Sequence, residues 1–322
     1  MTAPDPTARP AVLTVMNVPP FYLEPLRAAF TVYERLHETD PAAFARVAPT
    51  IRAITGGGES QVPRALQQQL PALEMISIFG VGYDKVDVAA AKERGIPVTH
   101  TPNVLNDEVA DLAIGLMLSV ARRIPQADRY VREGLWEMKG PMPLARKVSG
   151  ARLGIVGLGR IGQAIAQRAL AFGMSIAYTG RTQRPAIPHP YYPSARELAA
   201  NVDFLVVITP GGEGTRRMID RDVLRALGPR GYLINVARGT VVDEPALIEA
   251  LRAGEIAGAG LDVYEDEPRV PKALRELENV VLTPHMASAT KETRQAMADL
   301  ALANLQAHFA GRPLLTPVPE CQ

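Results

Sequence analysis

The stretch Arg152-Leu153-Gly154-Ile155-Val156-Gly157-Leu158-Gly159-Arg160-Ile161-Gly162 decides the fold. Leu153 to Gly157 reads as a short buried strand. Gln163 to Phe172 reads as a helix whose end is marked by Gly173. Between them sits Gly-x-Gly-x-x-Gly, a pattern that is weak alone but informative between a strand and a helix. Gly157 then makes the tight turn, Gly159 lets backbone N–H groups reach a pyrophosphate, and Gly162 lets helix and strand pack closely. Leu158, Arg160 and Ile161 complete the loop, and the helix N-terminus favours an anionic ligand.

Working outward, further strands are expected at Ser175 to Thr179, Phe204 to Thr209, Tyr232 to Val236, Ala257 to Asp262 and Val280 to Thr283. Six strands with intervening helices match a doubly wound dinucleotide-binding domain. A first alternating series precedes it, with strands at Val12 to Met16, Ile51 to Thr55, Met75 to Phe79 and Ile96 to Thr99. Pro63 to Gln69 and Val86 to Arg94 read as helices between them. Asn103 to Arg123 is one amphipathic helix, with Asn106 or Asp107 as its cap, linking the two series. Gly134 to Ser149 reads as irregular, broken by Gly140-Pro141-Met142-Pro143. A last helix, Lys291 to Phe309, has no place within six complete strands and is expected to return to the first domain.

The identity of the dinucleotide turns on the end of the second strand of this domain. An acidic residue about 20 positions past the motif would bond a ribose 2′-OH. Here Gly180, Arg181 and Thr182 stand there, Arg181 being 19 residues past Gly162, with no acid nearby. Arginine pairs with a 2′-phosphate where aspartate repels it. NADP(H) is the preferred cofactor on this reading, with NAD(H) possible. Thr209 and Pro210, at the end of the third strand of this domain, are expected to border the adenosine half.

Bulk properties exclude several other classes. Lys+Arg number 35 against 34 Asp+Glu, so no excess of positive charge points to nucleic acid. Apolar runs such as Leu112 to Leu118 fall far short of the ~20 residues of a membrane helix. Cys321 is the single cysteine, which leaves neither an internal disulfide nor a thiol cluster for a metal, and no metal site is expected. Met1-Thr2-Ala3-Pro4-Asp5-Pro6 has no signal-peptide pattern, and a cytoplasmic location is the simplest expectation.

Several further motifs occur in order. They are Gly80-Val81-Gly82-Tyr83-Asp84, Thr101-Pro102-Asn103, Asn235-Val236-Ala237-Arg238-Gly239, Gly260-Leu261-Asp262-Val263-Tyr264, Glu267-Pro268 and Thr283-Pro284-His285. With the glycine loop they make the chain, over nearly its whole length, resemble the D-isomer-specific 2-hydroxyacid dehydrogenase family. Tyr178-Thr179-Gly180-Arg181 and Leu135-Trp136 resemble its glyoxylate/hydroxypyruvate reductase branch. The resemblance implies an α/β chain of two Rossmann-like or flavodoxin-like parallel-sheet domains, the cofactor domain inserted into the substrate domain and the active site between them. Residues 1–103 with 286–322 would form the substrate domain and 104–285 the cofactor domain. It also implies a homodimer formed through the cofactor domain and the linker helix.

The same resemblance implies Arg238, Glu267 and His285 as the catalytic trio. Each follows an expected strand of the second sheet, where doubly wound folds bind ligands. Reducing a keto acid needs a cation for the carboxylate, a proton donor at the keto oxygen, and an acid beside that donor. Arginine's planar fork, histidine and glutamate suit these tasks. By composition alone Glu265, Asp266 or Glu267 would serve as the acid, and only the resemblance selects Glu267. It further sets the N–H groups of Val81 and Gly82 on the substrate carboxylate, Asp262 on the nicotinamide carboxamide, and Val236 and Ala237 against the cofactor. Trp136 would reach the substrate across the dimer interface. Of the other histidines, His37 and His308 read as helix-surface residues and His189 lies in a proline-rich loop. His100 ends a strand where many family members carry asparagine. The implied activity is NADPH-dependent reduction of small 2-keto acids, glyoxylate and hydroxypyruvate, to D-2-hydroxy acids. A 2-ketogluconate reductase and a dinucleotide-sensing binding protein on the same fold are the alternatives.

Overall fold

Strands β1 (Ala11–Thr14), β2 (Thr31–Glu34), β3 (Ile51–Gly57), β4 (Met75–Phe79) and β5 (Val98–Thr99) form one parallel sheet in the order β2-β1-β3-β4-β5. This is the flavodoxin-like winding of a doubly wound sheet. The computed structural model describes residues 9–321, so the N-terminal hexapeptide and residue 322 lie outside it. β1 and β4 are buried along their whole length, as continuous apolar runs in a parallel sheet should be. β2 was not expected from the sequence. Its Thr-Val-Tyr-Glu stretch is a half-exposed edge strand without an apolar run to betray it.

The second sheet contains β6 (Arg152–Val156), β7 (Ser175–Thr179), β8 (Phe204–Val207), β9 (Tyr232–Asn235), β10 (Gly258–Leu261) and β11 (Val280–Leu282). Its order is β11-β10-β9-β8-β6-β7, all pairs parallel. The winding reverses at β6, which lies between β7 and β8, and in such sheets the crevice at the reversal takes the ligand.

The backbone divides into two compact units, one formed by the chain up to Leu105 and from Thr290 onward, the other by Asn106–Ala289. The closing helix Lys291–Phe309 belongs to the first unit. Thr290 caps it by accepting from Thr293 N at 3.2 Å. It lies along the first sheet, where the Ser77 hydroxyl donates to Ala301 O at 3.1 Å and Arg52 stacks over Phe309. In the second unit the helix Asn106–Arg122 lies on β10, because Gly258 and Gly260 offer no side chain. A Cβ at Gly260 would come within 3.0 Å of the Leu116 Cβ. Arg168 ties that helix to Arg160–Ala171 through Asp111 at 2.5 Å and Asp107 at 3.0 Å.

Two further expectations are corrected. The segment read as irregular contains a short helix, Leu135–Lys139, set between Gly134 and Gly140, both at positive φ. Five residues are too few for a helical period to stand out. His37 and His308 are half-buried against Phe44 and Phe309, and burial holds both imidazoles below their ordinary pKa despite Glu38 and Glu74 nearby. Among the described residues no helix is long and apolar enough to cross a membrane.

Candidate active site

The glycine loop leaves β6 at Gly157, whose φ of +103° excludes ordinary side chains. A Cβ there would also lie 2.8 Å from Ile208 O and 3.1 Å from the Thr209 Cα. Gly157 therefore lies against the end of β8, where the winding reverses, with Thr209 and Pro210 alongside. A Cβ on Gly162 would sit 2.3 Å from Gly157 O, so helix and turn are packed as closely as backbone permits. Gly159 caps the helix, no side chain caps its first turn, and a Cβ there would meet nothing within 4 Å. An uncapped helix N-terminus facing open space beside a glycine turn fits the pyrophosphate of a dinucleotide. Leu158 is buried beneath the loop, while Arg160 is exposed.

At the end of β7, Gly180 meets nothing within 4 Å, and Arg181 and Thr182 are exposed. Arg184 does more than its position in a loop suggests. Its Nη1 donates to Leu158 O at 3.0 Å, and its N–H donates to the Tyr178 hydroxyl at 2.8 Å. The loop after β7 is thereby tied to the glycine loop. No motif in the sequence signals this bond.

Arg238 follows β9 in a turn braced by Asn235. The Asn235 Oδ1 accepts from Ala237 N at 3.1 Å and its Nδ2 donates to Arg238 O at 3.0 Å. Arg238 Nη1 donates to Ala237 O at 2.8 Å. Val236 and Ala237 are buried. A Cβ on Gly239 would fall 1.8 Å from the Tyr264 carbonyl carbon, so the arginine turn is seated directly on the backbone after β10.

That backbone carries Glu267. Its Oε1 accepts from Tyr264 N at 3.0 Å, and its Oε2 lies 2.7 Å from His285 Nδ1. The neighbouring acids are occupied elsewhere, Glu265 with Arg216 and Arg217 and Asp266 with Arg269. Geometry thus selects Glu267 as the histidine's partner, which composition could not do. Burial pushes the Glu267 carboxyl up, but the His285 hydrogen bond and charge, the Tyr264 N–H and the Arg238 charge outweigh it, leaving it below the usual range.

His285 itself stands in the left-handed region at φ 50°. Asp262, at the end of β10, holds it there. The Asp262 carbonyl accepts from His285 N at 2.8 Å. Its carboxylate accepts from the Thr283 hydroxyl at 2.6 Å and from Met286 N and Ala287 N at 2.9 Å each. Asp262, which the resemblance sets on the carboxamide, has 0% exposed surface and binds the histidine loop with three acceptor sites. Burial raises its carboxyl above the usual range, with the Thr283, Met286 and Ala287 donors and the His285 charge opposing.

Val81 and Gly82 belong to the other unit, in the loop after β4. Neither N–H has an acceptor among the described residues. Trp136 sits in the Leu135–Lys139 helix with 63% of its surface exposed. Ile124, Val131, Met138 and Leu144 are exposed in the same stretch.

Residues 114–287, more than half of the chain, match the family described as D-isomer specific 2-hydroxyacid dehydrogenase, NAD binding domain. A hydroxyphenylpyruvate reductase of Plectranthus scutellarioides is 53% identical over 283 residues, covering 87% of this chain and 90% of the relative. A glyoxylate/hydroxypyruvate reductase A of Arabidopsis thaliana is 53% identical over 269 residues, covering 84% and 86%. The NADPH-dependent glyoxylate/hydroxypyruvate reductase of Sinorhizobium meliloti, solved with NADP and malonate, superposes with a TM-score of 0.93 at 47% identity, covering 98% of both chains. With its two parallel-sheet α/β units, the chain belongs to the D-isomer-specific 2-hydroxyacid dehydrogenase family of nicotinamide-dinucleotide enzymes.

Proposed function

We propose that this enzyme reduces small 2-keto acids, glyoxylate and hydroxypyruvate, to D-2-hydroxy acids with NADPH. The observation that carries the chemistry is the 2.7 Å contact between His285 Nδ1 and Glu267 Oε2. A carboxylate at Nδ1 favours the imidazolium and turns Nε2 into the acid. When bound, the dinucleotide supplies the hydride to the keto carbon. His285 gives its Nε2 proton to the keto oxygen, so the C=O π pair becomes the O–H bond and the imidazole is left neutral. Solvent then reprotonates it. Arg238 holds the substrate carboxylate, with the Val81 and Gly82 N–H groups as further donors. Glu267 stabilises the imidazolium, and Asp262 keeps His285 in its strained backbone position.

NADPH over NADH rests on Arg181 and Thr182 at the end of β7, where no acid opposes a 2′-phosphate. The Sinorhizobium relative, solved with NADP, supports the same preference. A homodimer rests on the exposed apolar side chains Ile124, Val131, Trp136, Met138 and Leu144, with Trp136 reaching the substrate of the partner subunit. The single cysteine agrees with a cytosolic setting.

The test is steady-state turnover of glyoxylate, hydroxypyruvate, hydroxyphenylpyruvate and 2-ketogluconate with NADPH and with NADH. Glyoxylate and hydroxypyruvate with NADPH should give the highest kcat/KM. Preference for either larger acid would reassign the substrate, and no turnover of any would leave a dinucleotide-binding protein.

A further inference from the structure

His100 is one of the four histidines that the catalytic reading leaves unused. In the first unit its Nδ1 lies 2.9 Å from the Val81 carbonyl oxygen. A carbonyl only accepts, so Nδ1 carries the proton and donates. Its neighbour acts likewise, since Thr101 N donates to Gly80 O at 2.8 Å. Two successive carbonyls of the loop after β4 are thus fixed by residues 100–101. The carbonyl of Val81 and the N–H of Gly82 are the two ends of one peptide plane, pointing in opposite directions. A donor on the carbonyl end sets the direction of the N–H end and polarises it, strengthening the next hydrogen bond by about 10–30%.

His100 is in turn held by the C-terminal segment. Its N–H donates to Thr316 O at 3.2 Å, and the Thr316 hydroxyl donates to His100 O at 2.6 Å. Asn304 fixes Thr316, its Nδ2 reaching Oγ1 at 2.8 Å and its Oδ1 accepting from Thr316 N at 3.1 Å. The imidazole meets the Tyr83 ring edge-on, with centroids 5.3 Å apart, and the Tyr83 hydroxyl donates to Glu320 at 3.0 Å. The loop is therefore braced by an imidazole that is itself anchored to the end of the chain.

We infer that His100, anchored by Thr316, is a positioning residue for substrate: through the Val81 carbonyl it aims and polarises the Gly82 N–H that binds the substrate carboxylate. The inference rests on the proposed role of Val81 and Gly82. Asparagine offers a side-chain N–H donor at the same position, whereas leucine offers none.

The test uses the full chain with NADPH for turnover and, separately, calorimetry of oxalate on the protein saturated with NADP. His100→Leu should raise the KM for glyoxylate and the Kd for oxalate by about five- to ten-fold, the loss of one hydrogen bond. The KM for NADPH should not move, and His100→Asn should restore most of both values. Equal KM and Kd in wild type and His100→Leu overturn the inference and leave the proposed function intact. Oxalate weakened in a protein that reduces no keto acid has the opposite meaning, since the reaction then falls and the anion loop stands. A readout on the wild type covers the case in which His100→Leu does not fold. Long-range proton–nitrogen spectra of histidine-labelled protein should show His100 with its proton on Nδ1, and a neutral ring protonated at Nε2 alone overturns the assignment.

Discussion

The carboxylate of Asp262 accepts from the backbone N–H groups of Met286 and Ala287, on the C-terminal side of His285, at 2.9 Å each. With the Thr283 hydroxyl at 2.6 Å and the His285 N–H on its carbonyl, Asp262 controls the whole loop that carries the imidazole. Asp262→Asn keeps the shape but turns one acceptor into a donor, so one of the three bonds becomes an opposed pair of donors. A buried unsatisfied donor costs about 1–3 kcal/mol. The melting temperature should fall, and kcat should fall with it. Retained stability together with wild-type kcat would show that the loop does not depend on this carboxylate.

Glu267→Gln separates the electrostatic part of the site from its shape. The carboxyl of Glu267 is held below its ordinary pKa in the fold, its burial outweighed by His285, Tyr264 and Arg238. An acid depressed in this way contributes stability above the unfolded carboxylate pKa, about 4.3, and loses it as pH falls through the lower folded value. The stability difference between wild type and Glu267→Gln should therefore be present at neutral pH and shrink below about pH 4. In turnover, removing the anion makes the imidazolium less favoured, so the alkaline limb of keto-acid reduction should move to lower pH. Unfolding curves at several pH values and a kcat/KM profile check the two arms. A profile that keeps its alkaline limb in place would refute the coupling.

Most of the second sheet was legible because its strands are apolar on both faces and punctuated by glycine. Phe204–Val207 and Gly258–Leu261 are buried throughout and could hardly be read otherwise. Thr31–Glu34 was not legible, because an edge strand half in water carries no run and no alternation to count. Residue type and position after a strand pointed to Arg238 and His285, and the family resemblance added Glu267. Composition left open which of Glu265, Asp266 and Glu267 meets the histidine; in the fold Glu267 Oε2 lies 2.7 Å from His285 Nδ1, while Glu265 and Asp266 pair with arginines. The bracing contacts were invisible for a different reason. Asn235 to Arg238 and Arg184 to Leu158 are bonds to backbone carbonyls, and backbone carbonyls leave no trace in a sequence.

Arg181→Ala tests the choice of cofactor. Arg181 is exposed at the end of β7, and in the proposed reading it pairs with the 2′-phosphate. A charge-assisted hydrogen bond is worth about 1.5–3 kcal/mol, so the KM for NADPH should rise by roughly 10- to 100-fold. NADH has no phosphate to lose, and its KM should stay within about two-fold. Arg184→Ala should behave differently. Its guanidinium holds Leu158 O in the glycine loop, so it should weaken both dinucleotides. Equal loss of NADPH and NADH in Arg181→Ala would mean that the residue shapes the loop and does not read the phosphate.

Trp136→Ala tests the assembly. A tryptophan with 63% of its surface exposed, beside Met138 and Leu144 at 74% and 101%, leaves a large apolar area in water in the single chain. Burying it against a second copy would recover about 25 cal/mol for each Å² removed from water. That is why the exposed apolar side chains Ile124, Val131, Trp136, Met138 and Leu144 support a dimer. If Trp136 also reaches the partner's substrate, its removal should act twice. Sedimentation should show weaker dimerisation, and the ratio of kcat/KM for hydroxypyruvate over glyoxylate should change even at concentrations where the dimer persists. Trp136→Phe should recover association better than selectivity, because a phenyl ring restores apolar area without the indole N–H. Trp136 fluorescence gives an independent check, since oxalate added to the NADP-saturated dimer should perturb the chain's single tryptophan. A wild-type chain that sediments as a fully active monomer at assay concentration would defeat both the dimer and the shared site.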